Sequence, residues 1–182
     1  MNNSQIKCTF STGLFCMVAG LFYIVQTNAG SPPVSKNNIV HPCGIILPKA
    51  TGYVNDFTHL FTTQQTHTLD SIIGLQEQQT TNQIAIITID TSMLGKCTVD
   101  EYTLAIANEW GVGVKGKNNG VLIGIAPGLR KMRIQNGDGI EKILSNERTQ
   151  IIIDSFFIPE FKNGNYFQGT MNGLAELIKS IK

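Results

Sequence analysis

Two short runs of nearly unbroken apolar residues stand out, Gln83-Ile-Ala-Ile-Ile-Thr-Ile-Asp90 and Gly120-Val-Leu-Ile-Gly-Ile-Ala126. Both are rich in β-branched side chains and bounded by polar residues, the pattern of strands buried on both faces. Around them the spacing turns helical. From Thr63, read as a cap, to about Gln79, Leu69, Ile72 and Ile73 share one face of a polar stretch, with Leu75 at its edge. Thr98-Val-Asp-Glu101 is a capping box. It opens a helix with Tyr102, Ile106 and Trp110 at four-residue spacing, which Gly111 stops in a left-handed conformation. Ser145 or Asn146 begins a helix that runs through Ile151-Ile-Ile to Phe157 and ends near Pro159. A last helix, 166–181, carries Phe167, Met171, Leu174, Ile178 and Ile181 on one face. A short extended piece, Gly52-Tyr-Val-Asn-Asp-Phe57, precedes them all.

The second apolar run continues into Pro127-Gly-Leu-Arg130 and Lys131-Met-Arg-Ile-Gln135, a hairpin with Gly128-Leu129 as its two-residue turn. That turn pairs Ile125 with Met132 and Ile123 with Ile134, and both apolar pairs then fall on one face. The element order is βαβαβ, then an antiparallel strand, then two helices. It predicts an α/β fold: a three-layer α/β/α sandwich around a small mixed sheet of about four strands, with right-handed crossovers.

The N-terminus is different in kind. Lys7 is the only charge in residues 1–29, and an apolar stretch from Thr9 to Val25 leads to Thr27-Asn-Ala29. A basic start, an apolar middle and small residues before a cut after Ala29 read as a secretory signal peptide, with an uncleaved N-terminal anchor as the alternative. The chain is therefore expected to be exported, periplasmic or in the cell envelope or secreted, and membrane-associated only if the leader is retained. Residues 30–51, rich in Pro, Asn and Ser, read as a linker to a domain over 52–182. Beyond the leader two cysteines remain, Cys43 and Cys97. Export permits a disulfide between them, and two free thiols are the alternative. Without Lys7 the 14 basic residues become 13, against 13 acidic ones. That balance offers no electrostatic footing for nucleic acid.

Candidate chemistry narrows quickly. Gly111-Val-Gly113-Val-Lys-Gly116 has the spacing of a dinucleotide fingerprint, but it follows a helix and precedes a strand, the reverse of the working order. No nucleotide is expected, and the glycines read as a helix stop and turn. There is no Gly-x-Ser-x-Gly elbow. His41, His59 and His67 stand apart from other metal ligands and read as solvated side chains. What remains is oxygen chemistry. The hairpin register sets Asn119 across from Asp138, at the sheet end away from the turn, with Asn118 and Glu141 nearby. Carboxylates and amide carbonyls beside Gly-rich loops suit a hard cation, Ca²⁺ or Mg²⁺, and the alternative is that they shape turns.

Several blocks in one order carry a family resemblance: Gly52-x-Val-Asn-Asp56, Gln83-Ile-Ala-Ile-Ile-Thr-Ile89, Trp110-Gly-Val-Gly113, Asn119-Gly-Val-Leu-Ile123, Arg133-x-x-x-Gly137-x-Gly-x-Glu141 and Pro159-x-Phe-Lys-x-Gly164-x-Tyr166. In these the chain resembles the TPM domain family over nearly all of 52–182. The resemblance implies an α/β/α sandwich and an exported address. Members include bacterial envelope proteins, thylakoid-lumen proteins linked to photosystem repair and a nematode receptor modulator, and acid phosphatase activity and divalent-cation binding have been attributed to some of them. It also implies departures. The family usually carries Asp where this chain has Asn119, and more often a non-acidic residue where this chain has Asp138. The expectation is thus a non-enzymatic accessory domain that binds Ca²⁺ or Mg²⁺ at Asn118, Asn119, Asp138 and Glu141 and assists membrane or envelope protein partners in assembly, repair or modulation. A metal-assisted acid phosphatase is the alternative.

Overall fold

The computed structural model describes residues 44–182. The leader, with its expected cleavage or anchoring, and the segment up to Cys43 lie outside the described residues. Four strands form one sheet in the order β1-β2-β3-β4. β1 (Val54–Asp56), β2 (Gln83–Thr88) and β3 (Gly120–Ala126) run parallel, and β4 (Lys131–Asn136) returns antiparallel to β3. Every residue of β3 is buried, as its continuous apolar run requires.

Alternation along the strands sorts the core into two layers. Ile84 and Ile86 of β2, Val121, Ile123 and Ile125 of β3 and Ile134 of β4 share a cluster on one face. Leu69 and Ile73 of α1 (Thr63–Thr80) and Leu174 and Leu177 of α6 (Tyr166–Ser180) close it. Ala85, Ile87, Leu122 and Ala126 lie on the other face, under Val99, Tyr102 and Ile106 of α2 (Val99–Trp110). Each such fully buried aliphatic side chain contributes about 1.5–3 kcal/mol over exposure. This is the expected three-layer sandwich with a mixed four-stranded sheet.

Local signals held with small shifts. The α1 cap is Thr62, one residue earlier than expected, because Gln65 completes its capping box. Thr98 and Glu101 cap α2 as read, and Gly111 ends it at φ 61°. The hairpin pairs Ile125 with Met132 and Ile123 with Ile134. Its turn, however, is not the two-residue type. Pro127–Leu129 form a 3₁₀ turn, and Arg130 closes it at φ 51°. The proline favours helical backbone at its own position, and the wider loop preserves the same pairing.

After α3 (Asp138–Glu141), α4 (Asn146–Ile152) does not end near Pro159. It passes through a π-helical turn, Ile153–Phe157, into α5 (Ile158–Lys162), and the Ile158 N–H donates to the Ile153 carbonyl. A proline in a regular helix clashes with the carbonyl four residues back. The wider turn just before Pro159 relieves that clash, and Asp154 and Ser155 there face solvent. The stretch expected as linker is also more than a linker at its end. Ile45 and Leu47 pack on the α2 layer, and the Trp110 indole N–H donates to the Pro48 carbonyl at 2.7 Å.

Two consequences can be measured. A Cβ at Gly173 would sit 2.0 Å from the Phe157 ring, itself fully buried. Gly173→Ala is expected to cost about 1–3 kcal/mol, lowering Tm by several degrees in calorimetry. Burial pushes the Tyr102 phenol up to about 12. The folded chain therefore holds that proton more tightly than the unfolded chain, whose phenol titrates near its ordinary ~10. That stability is whole below about pH 10 and is lost as pH rises towards 12. Tyr102→Phe, which keeps the ring, should show a smaller fall in Tm between pH 9 and pH 11 than the parent chain.

Candidate functional site

At the amino end of β3 the backbone is packed against backbone. Gly113, at φ 110°, lies so close to β3 that a Cβ there would stand 2.7 Å from the Gly120 nitrogen. Just beyond β4, a Cβ at Gly137 would meet the Asn118 carbonyl oxygen at 2.3 Å, and one at Gly139 the Lys117 carbonyl oxygen at 2.1 Å. The glycines around 113 and 137–139 thus let two loops close on each other, which agrees with their reading as turns.

Asn119 is buried at the centre of this packing. Its Oδ1 accepts from the Val114 N–H at 2.8 Å, and its Nδ2 donates to the Thr81 carbonyl at 2.8 Å and to Asn82 Oδ1 at 3.2 Å. Gln83 does similar work beside it, accepting from the Gly113 N–H at 2.8 Å and donating to Glu77 at 2.8 Å. The Asn119 amide is therefore occupied in joining the loop after α2 to the loop after α1.

Asn118 points outward from a left-handed backbone, φ 49°. Its Nδ2 lies 3.5 Å from Asp138 Oδ2, a long contact, and its carbonyl accepts from the Gly139 N–H at 3.0 Å. Asp138 is exposed at the start of α3. Glu141, at the end of α3, is exposed and makes no hydrogen bond or ion pair with the other three. The structure thus brings Asn118 and Asp138 together, turns Asn119 inward and leaves Glu141 apart. Among the described residues no three His, Cys, Asp or Glu side chains gather as metal ligands.

Asn118 and Asp138 border a cleft of about 280 Å³ between α2, β3 and β4. Asn108, Gln135 and Asn136 complete its polar lining, and Leu104, half exposed, stands at its wall. The sequence reading missed these three amides because they come from α2 and β4. The hairpin register could have found two of them, since it sets Gln135 opposite Leu122 and Asn136 opposite Val121.

The other acids near strand ends are structural. The Asp56 carboxylate accepts from the Leu60 and Phe61 N–H groups at 3.0 and 2.8 Å and from the Thr88 hydroxyl at 2.6 Å. Asp90 caps the turn after β2, and the Ser92 hydroxyl and N–H hold its carboxyl below the usual range. His59 and His67 are exposed, and His41 lies outside the described residues. Cys97 is buried and disulfide-bonded, while Cys43 lies outside the described residues.

The chain matches the family model of the TPM domain over residues 54–180. Among solved structures it is similar to the N-terminal domain of a protein from P. gingivalis, at 27% identity and a TM-score of 0.65, covering 71% of this chain and 82% of that one. It is also similar to the BA42 protein of the psychrophilic bacterium Bizionia argentinensis, at 18% identity and a TM-score of 0.59, covering 69% and 83%. The N-terminal domain of the cg2496 protein of Corynebacterium glutamicum shares the fold at 11% identity and a TM-score of 0.56, covering 76% and 87%. Comparison with curated proteins returns no match.

Asn119→Asp tests the role of the buried amide. A carboxylate cannot donate to the Thr81 carbonyl, and it would set negative charge against that oxygen. The variant should lose about 1–3 kcal/mol at pH 7 in denaturant titration. The loss should shrink at low pH, where a protonated Asp regains a donor.

Proposed function

The chain belongs to the TPM domain family, and we propose that this member is an exported accessory domain that works by binding rather than by catalysis. Its binding site is the cleft beside Asn118 and Asp138, where a divalent cation is held weakly and a membrane or envelope protein partner docks. One observation carries this reading: the cleft lining holds a single carboxylate, four amides and no cationic or histidine side chain. Phosphoryl transfer needs an activated nucleophile and positive charge to meet developing negative charge. A lining of amides and one acid supplies no base-activated nucleophile and no cationic side chain, and the burial of Asn119 removes a further oxygen from the cleft.

The same lining favours a hard cation. Ca²⁺ takes about six to eight oxygens. Asp138 would supply charge and Asn118 a carbonyl oxygen, with water completing the shell. Asn119 does not fit the ligand set, because the Val114 N–H occupies its oxygen. Glu141 is not among the side chains that line the cleft. So sparse a set suits an affinity of roughly 10⁻⁴–10⁻³ M, the range of extracellular modules. The disulfide at Cys97 supports the exported address, since such bonds persist in oxidising compartments. Leu104, at 52% exposure on the cleft wall, offers a partner an apolar anchor.

Calcium titration of the chain, followed by melting temperature, tests this. A Kd near 1 mM stabilises by about 1.4 kcal/mol at 10 mM Ca²⁺, and Asp138→Asn should abolish the gain. An unchanged melting curve, or an equal response in the variant, would remove the cation from the proposal. Phosphate release from p-nitrophenyl phosphate that disappears in Asp138→Asn would make the protein an enzyme and overturn the reading.

A further inference from the structure

The opposite end of the sheet has the reverse character. Where β3 ends, the hairpin turn and the α5–α6 connection enclose a cleft of about 460 Å³. Arg130, Lys131 and Lys162 line it, and no acidic side chain does. None of the three enters an ion pair among the described residues, although the chain's acids and bases are nearly equal in number. Glu160, the acid nearest Lys162 in sequence, accepts from the Asn165 side chain at 3.0 Å, and Asp100 and Asp154 line the adjoining cleft that Arg130 and Lys131 also border. The remaining walls are apolar and partly buried: Ile158, Phe161 and Tyr166, the two rings 4.9 Å apart between centroids.

Two further features bear on the charge the cleft prefers. The carboxyl ends of parallel strands are where open α/β sheets receive ligands, because helices start and strands stop there. α6, a helix of 15 residues, starts at Tyr166 on the cleft wall with no side-chain cap at Asn165. Its first N–H groups add partial positive charge to that of the three side chains. The backbone also fixes the base of one cation: Arg130 is held left-handed at φ 51°, its N–H donating to the Pro127 carbonyl at 3.0 Å.

We propose that this cleft binds a small amphiphilic anion, a phosphate or carboxylate head carried on an aromatic or aliphatic body. The head pairs with Lys131, Lys162 and Arg130, and the body lies against Phe161, Tyr166 and Ile158. A site of this size with apolar walls and a few convergent polar groups has the form of a small-molecule pocket. Neither half suffices alone. Exposed cations hold a bare anion weakly in salt, and three partly buried apolar side chains give a neutral body little affinity. The site stands at the other end of the sheet from Asp138 and is independent of the cation proposed there.

Titration of the full-length chain by isothermal calorimetry, using phenyl phosphate, inorganic phosphate and phenol as probes, decides the matter. Phenyl phosphate should bind at least about tenfold more tightly than either fragment, since each lost set of contacts is worth about one decade or more. Lys131→Gln/Lys162→Gln should weaken it by about tenfold or more, with an unchanged circular dichroism spectrum. Phe161→Leu should weaken phenyl phosphate but leave inorganic phosphate unchanged, and Asp138→Asn should alter neither. Equal affinity for phenyl phosphate and inorganic phosphate, or indifference to the lysine substitutions, overturns the proposal. Vesicles of phosphatidylglycerol with phosphatidylcholine separate the sources of such a head. Sedimentation of the parent and the double-lysine variant to equal extents, with phenyl phosphate binding retained, supports a soluble ligand. Lysine-dependent sedimentation without phenyl phosphate binding overturns it in favour of a lipid surface.

Discussion

Burial of β3 on both faces is the constraint from which the rest of the molecule follows. A strand whose seven residues are all buried must satisfy its N–H and C=O groups on both edges, or carry unpaired polar groups in the core. β2 and β4 meet that demand, one parallel and one antiparallel. Its side chains then need cover above and below. α1 and the C-terminal helices provide one layer, and α2 with the segment around Ile45 and Leu47 provides the other. The two candidate clefts lie where that central strand begins and ends, so both inherit their walls from the same packing.

Local signals carried most of this architecture. Apolar alternation on β3 and β4 determined their pairing even though the turn was of another type, because a slip by one residue would turn every apolar side chain outward. The caps at Thr98 and Gly111 depend on side chains and backbone a few residues apart, and both were readable. What escaped was long-range. Pro159 alone suggests a helix end, and only the π-turn before it explains its place within a continuous helix. Asn119 is adjacent in sequence to Asn118 and looked like its equal, but partners from two separate loops, at Thr81, Asn82 and Val114, make it a structural residue. The Trp110–Pro48 bond spans 62 positions and likewise has no local signature.

The substitution pattern of the candidate site also gains a physical reading. An amide at position 119 serves as donor and acceptor together, which a carboxylate cannot do above its pKa. Asp138 lies on the solvent side of the same loops, where charge is tolerated without a buried partner. In this chain the acid thus stands on the outside of the packing and the amide on the inside.

The π-turn at Ile153–Phe157 has a geometric role beyond accommodating a proline. Each α-helical residue advances the chain by about 100° around the axis. The turn therefore contains, in effect, one residue more than a regular helix needs to cover the same rise. It sets the angular phase of everything after it. Phe157 faces into the core against Gly173, and Phe161 and Lys162 come round to the wall of the cationic cleft. A relative lacking that single residue could keep the same helices and the same sheet. It would nevertheless present a different side of α5 to the end of β3, and so a different pocket on an unchanged scaffold.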